Sequence, residues 1–499
     1  MPNYLHGAYG QIQTAGTRVA NNSQGAIVYI GTAPVHQVEG GASNVNKPIA
    51  VNNIAEARRF FGYSDDWASY TLCEAMHAHF ELKGVGPLVL INVLDPTTHK
   101  AGTKTNKSLT PANGRITITD AADVYLDSVE VKTSDSETAK VKGTDYSVSY
   151  NAGKKQIVLQ ELTSGALGTD ALSVSYDTVT PESVKDADVI GESDGLGMNT
   201  GIFAVKNVYN ATGYIPAYLA APGWSSIPAV NAALYQNSVK INGHWDAYIF
   251  ADLPIVHNGT AITLATAAEW KAENGYTHEN ETVYFPLAKG VDGQTYHISV
   301  LAAANFQELL MEQDGIPWKT ASNTACPVVE NLYMGEDSVN RVYDDEIINN
   351  YLNKNGIASA AFVGGRWAIW GSHSAGYGQE DGDQINAAET NRMMLYYISN
   401  DFQVRRVDDV DKQMSANDLA TIVSEEQARL DALLKIGALI HGEVYVNATA
   451  ENQSDIMQGD YSFTFNVTTT PLAKSLTAVV NWTDEGLVTY YAAQYDVVA

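Results

Sequence analysis

Ser374 lies in Ser372-His373-Ser374-Ala375-Gly376, directly after the apolar run 367–370. A serine on a sharp turn between strand and helix, in a setting like G-x-S-x-G, is the nucleophile of α/β-hydrolases. That chemistry needs a histidine to accept the serine proton and an acid to orient it. Downstream the only histidine is His441, which the sequence places at the end of an amphipathic helix. A polar turn that closes a strand accounts for the same residues, and a serine hydrolase using Ser374 is the lesser alternative. His77 and His79 are two apart on a predicted helix, about 200° round its axis, so they do not share a metal as an i, i+4 pair would. Glu380-Asp381-Gly382-Asp383 is acidic but lacks the regular spacing and closing Glu of a calcium loop. Gly195-Leu196-Gly197, with Gly201, is only loosely like a dinucleotide loop, and no apolar strand precedes it. No phosphate-loop, zinc-protease or CxxC pattern occurs. The residues therefore predict no catalytic group, no metal site and no cofactor, and a chain that is not an enzyme.

The elements that would carry such groups form a mixed pattern. At 499 residues the chain is too long for one core, so several domains are expected. Runs at 26–31 and 88–93 read as buried strands, and 54–61 and 72–82 as helices. A strand at 218–221, a helix at 229–240 and a strand at 247–251 repeat the alternation, which predicts a layered α/β core over 24–96 and 186–384. Between these stretches, residues 97–185 hold ten Lys/Arg and eleven Asp/Glu and are nearly neutral. They alternate apolar and polar residues at 115–119, 128–132, 146–150, 156–159 and 172–176, with turns such as Asn113-Gly114 between. That spacing predicts an inserted all-β sandwich or barrel. From 385 to 499 the sequence predicts an α+β domain: a long amphipathic helix at 418–440, then strands at 443–448, 461–468, 475–482 and 487–492.

Composition narrows the partners. A net charge of −27 disfavours nucleic acid and anionic lipid. No apolar run is long enough to span a bilayer, and MPNYLHGAYG lacks the basic and apolar parts of a secretory signal. Synthesis in the cytoplasm is the expectation, with Cys73 and Cys326 reduced in the core. Only 17% of residues are charged, which suits a surface consumed by contacts with other subunits.

A series of segments, in order, resembles the contractile tail sheath family of phages and phage-tail-like bacteriocins. The first is Gly25-Ala26-Ile27-Val28-Tyr29-Ile30-Gly31-Thr32-Ala33; the next ends in Ala57-Arg58-Arg59-Phe60-Phe61-Gly62. Leu219-Ala220-Ala221-Pro222-Gly223, the helix ending Asp314-Gly315-Ile316, and Gly365-Arg366-Trp367-Ala368-Ile369-Trp370-Gly371 follow. Phe402-Gln403-Val404-Arg405-Arg406, Gly437-Ala438-Leu439-Ile440-His441-Gly442 and Thr470-Pro471-Leu472-Ala473 complete it. Two places depart from the pattern. His6-Gly7-Ala8-Tyr9 stands where the family often has Pro-Gly-Val-Tyr, and Gly-Ser-His-Ser at 371–374 replaces Gly-Ala-Arg-Thr.

The resemblance implies a structural subunit that polymerises helically around an inner tail tube and contracts to drive the tube through a cell envelope. Implied partners are further copies of the chain, the tube protein, and baseplate and tail terminator proteins. The particle would be a virion or a released bacteriocin. Residues 385–499 would be innermost, with Asp418, Glu425, Glu426 and Asp431 as candidate tube-facing carboxylates. The inserted domain would face outward. The ends, 1–23 and 487–499, would act as strand arms between subunits, through Tyr4, His6, Ala8, Tyr9, Val488, Thr489, Tyr490 and Tyr491. A secreted surface-layer or adhesin protein also fits the acidity and β content, but needs an export signal.

Overall fold

Ala-Ile-Val-Tyr-Ile-Gly at 26–31 and Leu-Val-Leu-Ile-Asn at 88–92 are apolar on both faces of a strand. That composition suits parallel strands covered by helices on either side. In the computed structural model, which describes residues 18–19, 25–134, 138–335, 343–379, 387–447 and 453–495, both strands are buried throughout and pair in parallel, Ile27 opposite Leu88. They belong to an eight-stranded sheet. Its order is Arg366–Trp370, Ile357–Val363, Glu281–Tyr284, Tyr248–Asp252, Pro216–Ala220, Ala26–Gly31, Leu88–Asn92, Ile49–Val51. The six inner strands are parallel and each outer one is antiparallel to its neighbour. From Ala26–Gly31 the chain builds first to one side and then to the other. The topological switch point therefore lies beside Pro216–Ala220.

Local chemistry sets the helices. Ile54–Phe61 starts where the Asn53 side chain accepts from the Glu56 N–H at 2.9 Å, while Glu56 reaches back to the Asn52 N–H. It stops at Gly62, whose φ of 73° and 2.6 Å approach to the Pro34 carbonyl oxygen at the Cβ position admit only glycine. The helix expected at 72–82 is divided: Thr71–Met76 is α-helical and His77–Lys83 is a π-helical turn. Glu389–Arg406 is an 18-residue helix that the sequence reading missed. It buries Met393, Met394 and Ile398, and Asn400 exchanges two hydrogen bonds with the Asp246 backbone. The first compact unit accordingly runs to Gln413, past the expected boundary at 385.

The near-neutral segment forms two facing sheets. One orders Tyr146–Asn151, Gln156–Glu161 and Arg115–Ile118; the other orders Thr105–Leu109, Leu172–Tyr176, Glu130–Thr133 and Ala139–Lys140. Alternate residues point inward and make a separate core that includes Ile116, Ile118, Val131, Ile157, Leu159 and Val174. Asn113 and Gly114, both at positive φ, turn the chain between Ala112 and Arg115. Its two ends lie side by side: Ala101 N–H donates to the Thr178 carbonyl, and Thr180 N–H to that of His99. Against the α/β core it is held by His36 Nε2 and Gln37 Nε2, both donating to the Ala122 carbonyl. Replacing 102–176 by a short Gly-Ser turn joins neighbouring backbones but loses the bonds from His36 and Gln37, the Gly40 N–H bond to Asp127 and the Glu39–Lys142 ion pair. It also loses the bonds of Asp177 and Val179 to Ser128, Tyr125 and Asp123, each of these contacts being worth about 1 kcal/mol or less. We expect a folded chain with a modestly lower melting temperature by circular dichroism; an insoluble product would show that the segment is part of the core.

The second compact unit, Met414–Ala499, is a helix on a hairpin. Ser415 and Asp418 form a capping box at the start of Ala416–Lys435. Ile422, Leu430 and Leu433 of that helix, with Leu439 and Val444 of the hairpin, are buried. Leu439–Val446 and Phe463–Thr469 pair antiparallel as a two-stranded sheet. Two expected strands are absent. Residues 470–483 have no regular structure, and Glu485–Tyr495 is a helix. Alternation makes a strand only where a sheet edge receives it. Without one, 485–495 pairs its backbone within itself. The strand arm expected at Val488, Thr489, Tyr490 and Tyr491 is thus helical here, and the arm residues Tyr4, His6, Ala8 and Tyr9 lie outside the described residues.

Candidate assembly surfaces

The carboxyl ends of the parallel strands, where open α/β sheets bind ligands, are filled by a polar cluster. Asp252 ends its strand and accepts from the Ser299 backbone N–H at 3.2 Å and from Ser299 Oγ. Glu74, fully buried on the helix Thr71–Met76, accepts from His297 at its N–H and, at 2.7 Å, at Nδ1. Burial disfavours the imidazolium, but Glu74 and Asp252 outweigh it and push the His297 pKa up to about 9. Burial also raises Asp252, to about 6, against the opposing pull of His297 and Ser299. These groups are spent on one another and tie three elements together. Nothing in the sequence spacing signals the cluster, since Glu74 is 223 residues from His297 and Asp252 is 47 residues from Ser299.

The tempting serine is not presented for chemistry. Ser374 is 2% exposed, and its N–H donates to the Ala387 carbonyl. His373 packs on the Tyr377 ring, and His441 sits within the strand Leu439–Val446 of the other unit. His77 and His79 diverge. His79 is buried between Tyr29 Oη at 2.8 Å and Gln307 Oε1 at 2.6 Å, with its pKa lowered to about 3 by burial, while His77 meets Glu81. Glu380-Asp381-Gly382-Asp383 lies outside the described residues. Among the described residues no group of three or more His, Cys, Asp or Glu is arranged to hold a metal. None of the helices there is long and apolar enough to cross a membrane.

Three surfaces remain for binding. On the helix Ala416–Lys435, Asp418, Glu425 and Asp431 are exposed. Glu426 is not: it is 1% exposed, on the face that carries Ile422, Leu430 and Leu433, so it is withdrawn as a surface charge. The helical spacing explains the error, because 422, 426, 430 and 433 share one side. The second surface is the hairpin. Gln427 plugs one edge, donating to the Gly442 carbonyl and accepting from the Val444 N–H. Along the other edge, no described strand pairs with Phe463–Thr469. Beyond it, Leu476, Val479, Val480 and Trp482 are exposed, Leu476 at 90%.

The third is a groove of about 670 Å³ in the first unit, lined by Asn199, Lys206, Tyr209, Trp245, Phe402 and Val407 among others. The loop carrying Gly195-Leu196-Gly197 forms its rim, with Leu196 and Met198 exposed. Asn199 is 8% exposed; its amide nitrogen donates to Asn207 Oδ1 at 2.8 Å, and its Oδ1 has no partner.

This architecture is the fold of contractile sheath subunits. The anti-feeding prophage helical sheath in its contracted state superposes with a TM-score of 0.54 at 14% identity, covering 97% of this chain and 100% of that one. The sheath of an extracellular contractile injection system, the PVC complex, contracted, gives 0.53 at 11% identity, covering 97% and 99%. In sequence the chain is similar along its length to the tail sheath protein of Burkholderia phage BcepMu, 26% identical over 511 residues and covering 98% of each. No protein-family profile matches the chain. The resemblance to tail sheath proteins seen in separate segments thus extends over nearly the whole sequence.

Proposed function

We propose that this chain is the repeating subunit of a contractile tail sheath, polymerising helically around an inner tube and shortening to drive that tube through a cell envelope. The observation that carries the reading is the segment 470–484, which leaves four large apolar side chains in solvent beyond an open sheet edge. A chain that works alone has no use for either; a polymer covers both. Neighbouring copies would complete the hairpin sheet, with N-terminal residues such as Tyr4, His6, Ala8 and Tyr9 as one source of strand. The unit 414–499 would face the tube and the sandwich would face outward. The energy of shortening would come from new contacts between copies, with no nucleotide or metal needed.

Concentrated full-length protein should scatter light above a critical concentration, and the scattering species should be tubes by electron microscopy. A chain that stays monomeric at every concentration would overturn the proposal. Contact with the tube is expected to be electrostatic and salt-screened. Reversing Glu425 and Asp431 to Lys should weaken co-sedimentation with the tube protein severalfold, and raising salt from about 0.1 M to about 0.5 M should do the same. Asp418 is the poorer test, because its carboxylate also caps the helix through Ser415. Association that ignores both salt and charge would point to an apolar contact.

A further inference from the structure

We propose that Trp482 of one copy docks into the groove at Tyr209, Trp245 and Asn199 of a second copy, a contact that rests on the sheath reading and specifies one of its joints. Of the eight tryptophans, seven are buried or half-buried, whereas Trp482 is 82% exposed. An indole brings a large apolar face and one N–H donor, and such residues anchor interfaces when they find a pocket with a matching acceptor. The groove has both halves of that match. Its walls mix aromatic and aliphatic side chains with asparagines, Lys206 and Arg406, and Tyr209 and Trp245 lie ring to ring at 5.0 Å. Asn199 Oδ1 is a buried acceptor without a donor, and an indole N–H would satisfy it.

Charge and reach agree with the pairing. Asp484 and Glu485 follow Trp482 directly, and Lys206 lies on the groove wall with its ammonium over the Phe203 ring. In a chain of net charge −27 a lysine beside an aromatic groove favours an acidic, tryptophan-bearing segment over most of its own surface. Residues 470–482 have no regular structure, so they can extend about 40 Å from the hairpin. Groove and segment are different surfaces on one chain. Each copy therefore offers one of each, so the contact is heterologous and can propagate head to tail, as a helical polymer requires.

The test places a benzophenone-bearing residue at Thr483, leaving Trp482 intact, in the full-length chain. Equal amounts of heavy-isotope and unlabelled protein are assembled, irradiated and digested. Mixed-isotope cross-links from 483 to peptides within 197–210 or 402–410 are expected. In parallel, Trp482→Ala and Tyr209→Ala should each raise the critical concentration at least tenfold, with the double variant no worse than either. Cross-links within one chain, to the hairpin 439–469 or to a tube protein, or additive effects of the two substitutions, would overturn the docking site. Tubes that form with cross-links elsewhere would leave the sheath reading standing, whereas wild-type protein that never polymerises would remove both.

Discussion

Ending the chain at Thr469 is expected to leave a folded monomer that no longer builds tubes. The removed residues include Leu476, Val479, Val480 and Trp482, which contribute little to the isolated fold because they pack on almost nothing. Apart from the two hydrogen bonds that Thr470 donates to the carbonyls of Gly437 and Ala438, the hairpin, its helix and the first unit keep the contacts described above, so the melting temperature should fall by no more than about 4 °C. Assembly is a different matter. Each of those side chains is worth about 2 kcal/mol when buried against a neighbour, and they are lost from every joint at once. The critical concentration should rise at least a hundredfold, read by sedimentation as a single monomer boundary. Full-length tubes from the shortened chain would show that the segment plays no part in joining copies.

Glu74→Gln should destabilise the first unit by about 3 kcal/mol, because it leaves the partly buried His297 imidazolium without its carboxylate partner. The pH dependence makes the cause identifiable. The folded pKa of His297, about 9, lies above its ordinary 6.5. Folding then binds the proton more tightly, so the contribution is complete below about pH 6.5 and disappears as pH rises through about 9. The loss over that window is about 3 kcal/mol. Urea unfolding of monomer at pH 6.5 and pH 9.5 should show it in the wild type and show much less of it in Glu74→Gln. Equal slopes in the two proteins would mean that Glu74 does not hold the charge.

Much of the frame was legible from residue pattern. The helix at 54–61 was readable from its amphipathic pattern, and the Asn53 cap and Gly62 stop agree with it. Ala26–Gly31 and Leu88–Asn92 announced buried strands by being apolar on both faces, and the sandwich strands by strict alternation. What failed depends on context. Residues 487–492 alternate well enough for a strand, yet a strand needs a partner strand, and no described strand pairs with them. Glu426 looked like a surface carboxylate because charge is the stronger cue, while its place on the stripe of Ile422, Leu430 and Leu433 is the correct one. The helix Glu389–Arg406 was hidden by polar residues such as Asn400, which is buried through hydrogen bonds to Asp246 rather than through apolarity. The groove is made by parts of the chain some 200 residues apart, which no local pattern records.

A helical reconstruction of assembled full-length protein by cryo-electron microscopy tests the central claim most directly. The account predicts a hollow tube with one chain as the repeating unit, residues 414–499 lining the lumen, the sandwich of residues 105–176 on the outer surface, and density from a neighbouring copy along Phe463–Thr469. Protein that gives only monomers or closed rings, or a tube whose lumen is lined by the sandwich, would contradict it.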